Sequence, residues 1–140
     1  MSRTFLPDAS AAATTRNLRL RQFLALDAAV TGANGLAYVF LPEPLEALFG
    51  VRADLLAPIG LFLIAFGVGV GVAAAMPFPS RVVCLTIIIA NVTWAVASML
   101  TLVLGSLSPT ALGGIWIGTQ AMVVGGFAVA QHWALRRLPS

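Results

Sequence analysis

Asp27 lies inside a long apolar run, where an ionised acid costs a few kcal/mol unless it faces other helices or water. At 1.5 Å of helical rise per residue it sits about 9 Å below the edge marked by Arg21. Thr31, Asn34 and Tyr38 follow at steps of four, three and four, so they line one face of a helix with it. Two chemistries fit this stripe. Asp27 can be the proton- or ion-coupling carboxylate of a small transporter or channel, with Thr31 and Asn34 along its path. Alternatively it reaches toward Arg21 or another edge arginine and fixes helix register.

A second stripe carries Cys84, Asn91 and Ser98 at seven-residue intervals, extended by Thr101. Asn91 and Gln120 fall near the middle of their runs, so with Asn34 they form a candidate polar cluster in the core. Amides meeting across helices in lipid contribute about 0.6 kcal/mol each, up to ~2. That suits adhesion between helices as well as the lining of a site. His132, beside Gln131, Trp133, Arg136 and Arg137, reads as interfacial anchoring; a bis-His haem would need a second histidine. The single cysteine excludes an intrachain disulfide and a Cys-based zinc cluster. Neither a phosphate-binding glycine loop, an acidic metal motif nor a nucleophile elbow is present. The expectation is therefore no catalytic residue, no metal and no cofactor: not an enzyme.

The elements that position these residues follow from composition. Of 140 residues 59% are hydrophobic and 9% charged, where a soluble domain carries about 25% charged residues. Mean hydropathy is +0.96. Four apolar runs, residues 20–41, 57–76, 82–104 and 110–133, are each long enough to cross a ~30 Å hydrocarbon layer as a helix. Only helices satisfy the backbone in such continuous runs, and no period-two alternation points to a barrel. The fold expected is an all-α membrane protein, a four-transmembrane-helix bundle with sequence-adjacent spans packed antiparallel.

Pro77-Phe78-Pro79 ends the second run, and Ser106-Leu107-Ser108-Pro109 separates the last two, with Pro109 suited to the first turn of the fourth helix. The first connection is longer and holds Glu43, Glu46, Arg52 and Asp54. Within it Pro44 can open and Gly50 can cap a short interfacial helix whose Leu45, Leu48 and Phe49 share a face. Residues 1–18 read as a mobile cytoplasmic arm and not as a secretory signal, because the apolar run that follows is too long for a signal core. Residues 19–135 form the membrane domain and 136–140 a cytoplasmic tail.

All basic residues are arginine. Arg3, Arg16, Arg19 and Arg21 precede the first span, Arg81 lies between the second and third, and Arg136 and Arg137 follow the fourth; Arg52 alone falls on the other side. The positive-inside rule then gives an N-in, C-in, multi-pass protein. Arginine without lysine, with heavy Ala, Gly, Val and Leu usage, points to a GC-rich bacterial gene and so to the bacterial inner membrane. The net charge of +3 and a pI near 10.5 do not imply nucleic acid, since the arginines flank apolar runs and form no polar-face stripe.

Small residues mark two helix faces: Gly60, Gly67, Gly71 and Ala74 on the second span, and Gly114, Gly118, Ala121, Gly125 and Ala128 on the fourth. Such faces allow close backbone approach, within one chain or between copies. The expected partners are the lipid bilayer and either a homo-oligomer or a larger membrane complex. A structural or accessory role is the first functional reading, and a small dimeric transporter or channel the second.

Certain segments carry a resemblance. They are Leu26-Asp27-Ala28 with Gly32 and Gly35, Leu45 through Gly50, Asn91-Val92-Thr93-Trp94, and Pro109 through Gly113. In these the chain resembles small four-span membrane proteins of actinobacterial type that have no assigned function. In layout it is also similar, more weakly, to the DoxX-like four-helix class. The resemblance implies a four-helix membrane fold and transfers no catalytic residue or substrate.

Overall fold

A computed structural model describes the backbone of residues 9–138 and the side chains of residues 17–138. Its elements are all helical: α1 (Ala9–Phe40), α2 (Pro42–Phe49), α3 (Ala53–Ala75), α4 (Arg81–Leu104) and α5 (Ala111–Arg136). Four of these are long and apolar enough to cross a membrane, with α1 contributing Asn17–Phe40. The protein is an all-α, four-span bundle.

Local chemistry sets the boundaries. Ser80 caps α4 by accepting from the Val83 N–H at 3.1 Å, and Gly105 ends that helix in the left-handed conformation that glycine adopts without strain. At the start of α5 the cap is Thr110, whose hydroxyl accepts from the Gly113 N–H at 3.0 Å. Pro109 thus precedes the cap instead of filling the first turn, because the hydroxyl next to it satisfies an otherwise orphaned N–H. Similarly α2 opens at Pro42, ahead of the expected Pro44, and closes on Gly50. Its Phe49 is buried while Leu48 is 49% exposed, so the two do not share one face. Alanine-rich sequence before the first span extends α1 back to Ala9, since elongating a formed helix is cheaper than nucleating one. The expected mobile arm therefore falls outside the described residues over 1–8 and is helical from Ala9 onward.

Packing is uneven around the bundle. The α1–α3 pair makes the broadest contact, α4 packs on α5, and α1 joins α5, whereas α3 and α4 scarcely touch. The spatial order is α3, α1, α5, α4, with an open seam between its ends. Sequence neighbours α3 and α4 are thus not packing neighbours, unlike the antiparallel expectation.

Glycines explain the tight pair. A methyl group at Gly35 would come within 2.8 Å of the Gly60 carbonyl oxygen, and one at Gly67 within 3.1 Å of the Gly32 nitrogen. Backbones approach here because, without a hydrophobic drive between helices in lipid, close packing supplies dispersion. Gly71 has looser contact with Ala28 of α1 at 3.7 Å, while Gly114 and Gly118 face Leu102, and Gly125 faces Ala95, across the α4–α5 contact. At its C-terminal end α3 is held by Arg21, whose Nε donates to the Ala74 carbonyl at 2.8 Å. A guanidinium on the last carbonyls also complements the helix dipole. Asn17 donates to the Pro77 carbonyl beside it.

At the opposite end α2 clips onto α5. The Thr110 N–H donates to the Phe49 carbonyl at 3.0 Å, and its hydroxyl donates to the Leu48 carbonyl at 2.9 Å. The exposed Arg52–Asp54 pair at 2.5 Å adds little, as solvated ion pairs do. We expect Gly60→Ala to destabilise the fold by roughly 1–3 kcal/mol, the range for overpacking a close contact. Gly126→Ala, which meets open space, should be near neutral. Reversible unfolding in mixed micelles measures both; equal effects would contradict the α1–α3 contact.

Candidate functional site

Asp27 is fully buried, and so is Gln131 of α5; Thr31 and Asn91 are buried beside them. One carboxylate oxygen, Oδ2, accepts from Asn91 Nδ2 and from Gln131 Nε2, each at 2.7 Å. The other, Oδ1, accepts from the Thr31 hydroxyl at 3.0 Å, one turn along α1. Asn91 Nδ2 also lies 3.3 Å from Gln131 Oε1, which closes the constellation. Three neutral donors from α1, α4 and α5 therefore converge on one acid.

Arg21 is not among them. It is engaged on the end of α3, so the expected pairing of Asp27 with a nearby arginine is not found. The physical reason lies in competition: the bare carbonyls at the α3 terminus are within reach of the guanidinium, while neutral amides already occupy the acid. Gln131 was expected at the interface with His132 and Trp133. Instead it shares the inward face of α5 with Ala121, Val124, Ala128 and Leu135, whereas His132 and Trp133 are exposed. Three- and four-residue steps from Val124 through Ala128 to Gln131 carried that signal; charge and aromatic neighbours obscured it.

The rest of the α1 stripe also points inward, in separate pairs. Asn34 Nδ2 donates to Gln120 Oε1 at 2.9 Å, and the Trp116 indole donates to the Tyr38 hydroxyl at 2.9 Å. Asn34, Asn91 and Gln120 thus meet around one cavity but not in one hydrogen-bond network: Asn91 binds the acid, and Asn34 and Gln120 bind each other. Trp116 stands at the depth of an aromatic belt but turns inward, stacked on Phe49 with centroids 5.3 Å apart. On α4, Ser98 and Thr101 bond back to the Trp94 and Ser98 carbonyls of their own helix.

Two chambers adjoin this stripe. The inner one, about 270 Å³, is lined by Thr31, Asn34, Asn91 and Gln120 among apolar side chains that include Phe62 and Phe66. An outer one, about 240 Å³, reaches Tyr38, Trp116, Ser98 and Thr101. Leu63, Trp94, Ala97 and Gln120 border both, so the chambers lie in series. Asp27 does not line either; Thr31 and Asn91 stand between it and the inner chamber. On the open seam the inner chamber is fenced by Phe62, which stacks on Trp94 across the gap at 6.0 Å.

Chemically, the constellation can host either form of the acid. Two N–H donors fix Oδ2 as an acceptor, but the Thr31 hydroxyl can donate to Oδ1 or accept from it. The remaining predicted residues, Arg19, Arg81, Arg136 and Arg137, gather at the end that holds Arg21, where Arg137 lies over the Trp133 ring at 4.4 Å.

Leaving a buried acceptor short of a partner costs about 1–3 kcal/mol. Gln131→Leu and Asn91→Leu should each lower stability by that amount, whereas His132→Leu, on the exposed face, should not. The midpoint of unfolding in mixed micelles checks this, and an unchanged midpoint for Gln131→Leu would refute the constellation. No family model matches the chain, and neither the curated proteins nor the solved structures contain a match to it.

Proposed function

We propose that this integral membrane protein is a small proton-coupled carrier, with Asp27 as its proton-accepting group and the inner chamber as its solute site. The observation that carries this reading is the α1 stripe itself. Asp27, Thr31, Asn34 and Tyr38 all face the bundle interior, and Thr31 joins the acid to the chamber. A membrane protein gains little stability from such a stripe over an apolar one, so its extent favours use over adhesion.

One chain is sufficient for this role. Both small-residue faces have neighbours within the chain, on α1 and on α4, which supports a single-chain reading. The protein is not an enzyme in this reading and needs no cofactor. Arg19, Arg21, Arg81, Arg136 and Arg137 at one end, against Arg52 at the other, support both termini in the cytoplasm, with a bacterial inner membrane as the site.

A second reading, an accessory subunit whose interior only holds it together, is favoured by the saturation of Asp27. Its oxygens have three donors from three helices, as a structural staple would.

Asp27→Asn separates the two. The amide is isosteric: its oxygen can keep the Asn91 and Gln131 donors, and its NH2 can donate to Thr31. In proteoliposomes under a pH gradient, the carrier reading expects proton flux with the native protein and at least a tenfold loss in the variant at unchanged stability. No flux from the native protein, or equal flux from both, favours the accessory role.

A further inference from the structure

Asn34 and Gln120 spend only one polar atom each on the other. Asn34 Nδ2 donates to Gln120 Oε1, and among the described residues neither Asn34 Oδ1 nor Gln120 Nε2 has a partner. Both residues line the inner chamber and are half-buried. The pair therefore offers the chamber one acceptor and one donor side by side. A hydroxyl is the smallest group that satisfies both at once, donating to Asn34 and accepting from Gln120.

The surroundings define the rest of the molecule. Apart from Thr31, Thr93 and the amides, the inner wall is hydrocarbon and aromatic, including Val30, Leu63, Phe66 and Val124. Among the described residues no arginine lines it, so an anionic head would lack a counter-charge. A cation would find aromatic faces, but Asp27 is closed off, fully buried and already held by three donors. An uncharged molecule fits both facts.

Access comes from lipid. The α3–α4 seam is the side on which helices scarcely meet, and there the Phe62–Trp94 stack, with Phe66 stacked on Phe62, fences the chamber. Phe62 is 54% exposed, so one exposed ring lies between the chamber and the acyl chains. The two chambers in series leave room for an extended body.

From this geometry we propose that the protein binds an uncharged, single-chain amphiphile ending in a hydroxyl. It enters between α3 and α4, and its hydroxyl is held by Asn34 and Gln120. This deepens the solute-site reading above but does not depend on proton movement.

Trp94 borders both chambers, so its fluorescence reports occupancy. The test uses the full chain in nanodiscs with three bromine-tagged quenchers of equal length: dodecanol, dodecane and a dodecyl quaternary ammonium. Expected is saturable quenching by the alcohol, with half-saturation about tenfold below that of the alkane, the selectivity of roughly one retained hydrogen-bond pair. Trp94→Phe should remove the larger part of the saturable quenching and leave the share that Trp116 of the outer chamber reports, and Asn34→Ala with Gln120→Leu should bring alcohol and alkane to the same value. Untagged dodecanol should displace the probe from the unaltered protein, which requires no variant to fold. Quenching that rises linearly without saturation, equal values for alcohol and alkane, or tighter binding of the ammonium would each overturn the proposal. Native protein that binds the alcohol but moves no protons would sink the carrier reading alone. Proton flux without saturable quenching would sink this inference alone.

Discussion

A carboxyl group removed from water has to find its hydrogen bonds inside the protein, and in a bilayer no solvent corrects a mistake. Asp27 meets that demand with Thr31 from its own helix, Asn91 from α4 and Gln131 from α5. Once those donors are in place, the rotation and depth of three helices are fixed relative to one another. The remaining helix, α3, joins by a different force. Its glycines let it lie against α1 at backbone distance, and Arg21 pins its last turn. Nothing comparable links α3 to α4, so the bundle is closed by polar contacts on one side and left apart on the other. The chambers and their seam follow from that asymmetry.

Much of this was legible in the chain itself. Run length and the lipid requirement for internal hydrogen bonding set the number of spans and their limits within a few residues, because both are properties of single segments. The inward direction of Asp27, Thr31, Asn34 and Tyr38 followed from helical spacing for the same reason. Which amide meets which was not legible, since it depends on the relative depth and rotation of different helices. Asn91 and Gln120 both read as mid-depth partners of Asn34, yet Asn91 turns to the acid while the other two pair. Gln131 was hidden by its neighbours: Trp133 and Arg136 advertise an interface, and the small-residue face that carries it inward is a weaker signal. The partner of Arg21 was equally beyond reach, as helix-end carbonyls leave no trace in residue identity.

On the carrier reading, the same geometry links stability to use. A staple made only for adhesion would need no chamber beside it, nor an amide pair with unspent donors and acceptors. Here the acid sits behind Thr31 and Asn91, and both also face the cavity. A change at the chamber wall is thereby a change in the donors of Asp27, and the converse holds by linkage. On that reading the Thr31 hydroxyl is the pivot, since a hydroxyl can either donate to the acid or accept from it.

That coupling is most directly read from the carboxyl vibration. An infrared difference spectrum of the protein in nanodiscs, taken across an acid titration, should contain one carbonyl band of a sequestered protonated acid that vanishes in Asp27→Asn. The band should move when Thr31 is replaced by Val, and again when the chamber is filled with dodecanol. A band that ignores both changes, or none attributable to Asp27, would contradict the claim that this acid exchanges a proton in contact with the chamber.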